Sequence, residues 1–135
     1  MLIASVINQT RNTVIADSCR LALSLTARLR GLLGTKALSS TEGLLIIPCR
    51  SIHTWFMRYP IDVAFLDEQL SVIAIAEALP PFRTFAPRHR IAMMALELPA
   101  GRLRETGTKI GDALAVTLHT CHFKIGLFER LLLRS

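Results

Sequence analysis

Apolar residues recur along this chain in short runs, each closed by glycine, proline or a charged turn, and that rhythm predicts strands. Residues 13–23 carry Val14, Ile15, Leu21 and Leu23 in a pattern suited to a half-buried strand. Ser24 or Thr26 can cap a short helix reaching residue 33, because Leu25, Leu29, Leu32 and Leu33 fall at helical spacing. Gly34 follows where a C-terminal cap takes a positive φ. A short apolar strand over 43–47 is closed by Pro48, and further strands are expected at 52–57, 61–66 and 70–76.

Residues 79–90 break the pattern. Pro80, Pro81 and Pro87 lack the donor N–H that a central strand needs, so the segment reads as an aromatic, basic loop. A strand at 92–98, a short helix at 102–106 stopped by Gly107, and a Gly111-Asp112 turn into a strand at 113–118 complete the series. Many short strands with turn signals roughly every 8–12 residues predict a mainly β fold. The expected object is a compact single-domain sandwich or partly open barrel with one or two short helices. Residues 1–120 form the domain, and residues 121–135 a helical tail packing on it. The apolar residues of that tail, among them Phe123, Leu127 and Leu131, do not gather on one face of a helical wheel. Packing is therefore the expectation, ahead of membrane-surface contact by the tail.

Composition adds bounds. The 135 residues suit one domain, and although 51% are hydrophobic, charges interrupt the apolar runs too often for a spanning helix. The start, MLIASVINQTR, has no basic leader and too short an apolar run for a secretory signal, so a cytoplasmic location is expected. Cys19, Cys49 and Cys121 form no C-x-x-C pair and read as reduced thiols. The net charge of +6 is spread along the chain and is mostly arginine. It permits long-range attraction to polyanions, yet no zinc finger, recognition helix or glycine–aromatic RNA signature accompanies it, so nucleic acid is not the expected partner.

The densest chemistry lies in CRSIHTWFMRYPIDVAFLD, residues 49–67, which holds the only Trp and the only Tyr of the chain. Together with TARLRGLLG at 26–34, EGLLIIP at 42–48, LPPFR at 79–83, LELPAG at 96–101 and IGDAL at 110–114, it resembles the domain of unknown function 192 family of bacteria and archaea. The resemblance covers about residues 13–118. It implies a compact β-rich domain for which no reaction is established. The chain departs from the family pattern at Ala27, where an acid is common, and at Leu33, where methionine is common. Many relatives carry an export signal that has no match here.

Three readings of the site follow from the residues. Cys49 and His53 can act as nucleophile and base, with Asp62 as a third member, in an enzyme using a Cys/His/Asp cluster. The same pair can begin a metal site with Cys121 and His122, although adjacent ligands on a strand point to opposite faces, so no metal or other cofactor is assigned. The favoured reading is a non-catalytic module that binds a small ligand or a protein partner. Its groove is expected from His53, Trp55, Met57, Pro81, Phe82 and Arg83, with Asp62 and Glu97 as buried carboxylates on neighbouring strands. Arg58 or Arg83 are their expected ion-pair partners, pinning the 79–90 loop to the sheet.

Overall fold

The computed structural model describes residues 2–87 and 91–119. Its elements run β1 (Ile3–Asn8), β2 (Thr13–Ala22), α1 (Leu25–Arg30), β3 (Glu42–Ile46), β4 (Ile52–His53), β5 (Ile61–Leu66), β6 (Val72–Leu79), β7 (Thr84–Phe85), β8 (Met94–Pro99), α2 (Arg102–Glu105) and β9 (Leu114–Leu118). Seven strands form one sheet in the order β6-β5-β8-β3-β2-β1-β9, and β4 pairs with β7 in a separate ribbon. Neighbours are antiparallel except β2 and β3, whose parallel pairing requires the crossover that carries α1.

The sheet curls into a half-barrel. Its edges, β6 and β9, meet at one end, where Ser71 bridges Ala113, the Val72 N–H donates to Asp112 O at 2.9 Å, and the Leu114 N–H donates to Leu70 O at 2.9 Å. Of the two expected architectures, the partly open barrel is the one formed. Inside the curl pack Val6, Leu21, Leu45, Ala64, Leu66, Leu96 and Leu98, with Leu103 of α2 closing one end. Outside, Leu44, Ile46, Ile61, Val63, Phe65 and Ala95 are covered by Leu32, Met57 and Ala92. Strands β3, β5 and β8 are thus buried on both faces, which is why Ile61–Leu66 reads as a nearly unbroken apolar run.

Asp62 is the exception in that run, and it is fully buried. Its carboxylate accepts the N–H groups of Ala78 at 2.8 Å, Gly101 at 3.1 Å and Leu103 at 3.0 Å. It therefore ties the bulged end of β6 and the first turn of α2 to β5 (Ala78 has φ 48° and Gly101 φ 90°). A second buried polar group sits near the β1–β2 turn. Asn8 donates to Asp112 Oδ2 at 2.9 Å, and Arg11 Nε donates to the same oxygen at 3.0 Å.

Several expected boundaries move. The strand expected at 52–57 is only Ile52–His53, because Thr54 leaves the ladder and Phe56 takes φ 66°. The helix ends at Gly31, with φ 51°, before Gly34 is reached. Ser24 is its cap, accepting the Ala27 N–H at 3.1 Å. Strand β1 was not expected, since Ile3 and Ile7 put apolar groups on its outer face and hide the alternation of buried Ala4 and Val6. The expected tail, 121–135, lies outside the described residues.

Candidate functional site

Between α1 and the segment after β3, the outer face of the sheet is left open as a cleft of about 260 Å³. One wall is α1 and the turn that follows it, the other is residues 48–53, and Ile46, Met57 and Glu97 lie between them. Helix α1 buries none of its residues, and Leu25 and Leu29 are exposed, so it stands over the cleft as a wall rather than as part of the core. Its C-terminal turn at Gly31 passes close to the cleft carboxylate: a Cβ on Gly31 would stand 3.9 Å from Glu97 Oε1.

Glu97 sits in β8 opposite Leu44 on one side and Val63 on the other, on the outer face of the sheet. It is only 4% exposed, and it forms no ion pair among the described residues. Burial pushes its pKa up to about 7. Across the cleft, Arg28 leans its Nη1 towards Pro48 O at 3.5 Å, while its Nε is buried with no hydrogen-bond partner among the described residues. No ion pair within 4.0 Å joins Arg28 to Glu97, so two groups of opposite valence face one small space unpaired.

Cys49 enters the same cleft just after the cis Ile47–Pro48 peptide. Its N–H is held by Met93 O at 2.8 Å, and its thiol lies 3.0 Å from the Ser51 carbonyl that accepts from it. Burial pushes the thiol up to about 11, with Glu97 adding to the shift and Arg28 opposing it. A nucleophilic cysteine works as the thiolate, whereas this one is a protonated donor at neutral pH. His53, exposed on β4, completes that wall.

The residues expected to form one groove divide three ways. His53, Met57 and Glu97 line the cleft. Trp55, Pro81 and Arg83 lie away from it, where the 54–57 and 80–83 turns meet: the Thr54 hydroxyl donates to Pro80 O at 2.6 Å and accepts the Arg83 N–H at 2.9 Å. Asp62 points to the inner face and is consumed by backbone donors. Neither Asp62 nor Glu97 pairs with Arg58 or Arg83 among the described residues. The Cys/His/Asp cluster of the alternative, enzymatic reading is not brought together, because Asp62 is on the opposite face of the sheet from Cys49 and His53. Cys121 and His122 lie outside the described residues, and among those described no three His, Cys, Asp or Glu side chains gather closely enough for a metal ion.

Arg28 was not anticipated as a site residue. In sequence it is one arginine among leucines at helical spacing, and only the crossover from β2 to β3 brings it to the cleft that Glu97 also lines.

Comparison with known proteins fixes the family. The profile of DUF192, described as Uncharacterized ACR, matches residues 6–116. The chain belongs to the DUF192 family. It is 30% identical over 112 residues to a UPF0127 protein of Pyrococcus horikoshii, covering 81% of this chain and 96% of that one. A UPF0127 protein of Thermococcus sibiricus is 31% identical over 113 residues, covering 80% of this chain and 71% of its own. Two crystal structures share the fold. A putative transcription regulator from Sinorhizobium meliloti 1021 superposes with a TM-score of 0.73 at 21% identity, over 85% of this chain and 92% of its own. A protein of unknown function from Novosphingobium aromaticivorans gives 0.72 at 19% identity, over 84% and 83%. At those identities the likeness concerns the fold. The DUF192 cleft of this chain has to be read from its own residues.

Proposed function

We propose that this DUF192 chain is a non-catalytic binding module whose cleft holds a small molecule carrying both an anionic acceptor and a cationic or neutral donor, a free α-amino acid being the simplest such ligand. One observation carries the reading: among the described residues Arg28 Nε is buried without a hydrogen-bond partner, and it lines the same cleft as the nearly buried carboxyl of Glu97, with which it forms no ion pair. Leaving a buried donor without a partner costs about 1–3 kcal/mol, more for charged groups, and a ligand that accepts from Arg28 recovers that cost on binding. At about 260 Å³ the cleft is below the usual range for drug-sized ligands and suits a metabolite of ten or so heavy atoms. Leu25, Leu29 and Leu32 supply an apolar side for the ligand's own side chain.

Catalysis is not favoured, because the Cys49 thiol is held protonated and the carboxylate that would orient a base faces the other side of the sheet. The test is a thermal-shift screen of the twenty amino acids, with acetate and methylamine as single-charge controls. A binder present at about a hundredfold excess over its Kd adds roughly 2.7 kcal/mol, which raises Tm by several degrees. The account expects at least one amino acid to do so, the two controls to do nothing, and Arg28→Ala and Glu97→Gln each to abolish the shift. A set of flat curves, or a shift that survives both substitutions, would refute it.

A further inference from the structure

A second surface stands apart from the cleft and has no role in the proposed ligand site. Trp55, Phe56 and Phe82 are 46%, 76% and 50% exposed, and they contact one another: Phe82 meets Trp55 edge-on at 5.4 Å and Phe56 at 6.1 Å. A surface cluster of three large aromatic rings is uncommon on a small domain and marks an interaction site. Phe56 and Phe82 both hold a positive φ, 66° and 63°, a conformation that favours glycine and disfavours a bulky residue. The fold enforces this strain with Thr54, whose backbone and hydroxyl bind Pro80, Phe82 and Arg83, so the two turns are fastened as one tip. The rings are thus displayed by a rigid support.

Charge says what the tip meets. The two turns are joined by the β4–β7 ribbon, in which Ile52 pairs with Phe85 and His53 with Thr84. The turns themselves, 54–59 and 80–83, contain no Asp or Glu and hold Arg58 and Arg83. Both arginines are exposed. An aromatic tip carrying two exposed arginines is complementary to an interface that is apolar within and negative at its surface. We infer that this tip docks the protein on an anionic lipid surface, with Trp55, Phe56 and Phe82 entering the headgroup region and Arg58 and Arg83 meeting lipid phosphates. An aromatic ring with one polar edge suits that depth, and Trp55 has one in its indole N–H.

The chain's only tryptophan lies in the patch, so its fluorescence reports on this surface alone. Full-length protein is mixed with sonicated vesicles of phosphatidylcholine, with or without 30% phosphatidylglycerol. The expected result is a blue shift of Trp55 emission, and quenching by brominated chains, with the anionic vesicles only, reversed by raising the salt. Phe56→Gly with Phe82→Gly removes exposed side chains and relieves two positive-φ positions, so the domain stays folded; partitioning should fall by roughly tenfold or more. Arg58→Glu with Arg83→Glu should abolish it at physiological salt. Flotation with an unshifted Trp55 would place lipid contact elsewhere on the chain and overturn the inference. A shift that appears with protein concentration and no vesicles would assign the patch to a second copy and overturn it too, as would equal binding to both vesicle types.

Discussion

Glu97 makes the folded state a proton sink. Its carboxyl titrates near 7 in the fold because burial disfavours the charged form, against an ordinary 4.5. Between those values the folded chain binds one proton more than the unfolded chain, so stability falls as pH rises through this window and levels off above it. The full difference is about 3 kcal/mol at 1.36 kcal/mol per pKa unit. Urea unfolding of the wild type and Glu97→Gln at pH 5, 6, 7 and 8 isolates this group. The difference between the two proteins should move in favour of the glutamine variant as pH rises, and a constant difference would show that Glu97 is not desolvated. Cys49 gives a second check at this scale. With its thiol pushed up to about 11 and Cys19 to about 12, Cys49 and Cys19 should react slowly with a disulfide reagent at pH 7 in native Cys121→Ser protein. A fast, stoichiometric reaction at Cys49 would revive the nucleophile reading. At the level of single residues, Glu97 stood out in sequence as an acid in an apolar strand. Its solitude did not, because expecting an arginine partner for a buried carboxylate is chemically sound and fails only in three dimensions.

Elements in this fold are held in register by a few polar ties. Asp62 joins β5, β6 and α2 through three backbone N–H groups, so Asp62→Ala strands buried donors and should cost about 3 kcal/mol or more. Asp62→Asn keeps an acceptor oxygen and should cost less, an order that chemical denaturation resolves. Gly43 is the steric counterpart where β3 crosses β8: a Cβ there would lie 3.1 Å from Leu98 Cδ2 and 3.2 Å from Glu97 O. Gly43→Ala should therefore destabilise by about 1–3 kcal/mol, since the obstructing carbonyl belongs to the sheet and cannot swing aside. Strands β3, β5 and β8 were legible from their apolar runs, and the short helix at 102–106 from Gly107. The turn at 54–57 was not. Alternation across 52–57 predicted one face for His53, Trp55 and Met57, whereas Thr54 withdraws into the 80–83 loop and leaves Met57 in the core with Trp55 in solvent. A buried threonine with long-range backbone partners has no local signature.

The molecule as a whole is a curled sheet with two unlike outer surfaces. One, covered by α1 and residues 48–53, encloses the cleft; the other carries the rigid aromatic tip. The half-barrel was foreseen as one of two architectures, and what decides it is the contact of β6 with β9 at one end, which only the turns at 67–71 and 109–113 can arrange. Membership of the DUF192 family was legible from the motif string, and the profile match over residues 6–116 establishes it. The cleft was not legible, because its walls come from three separated segments, near residues 28, 49 and 97. No helix among the described residues is long and apolar enough to cross a membrane.

If Arg28 and Glu97 grip one small ligand between them, binding changes the protonation of Glu97. Burial keeps part of the Glu97 carboxyl population protonated near neutral pH, so taking up the ammonium group of an amino acid should expel protons. Calorimetric titration of the best amino acid from the thermal screen, in buffers of different ionisation enthalpy, reads that release. The wild type should release protons on binding at neutral pH, and Glu97→Gln should neither bind nor release. Binding with no proton exchange, or the same exchange in the glutamine variant, would contradict that grip.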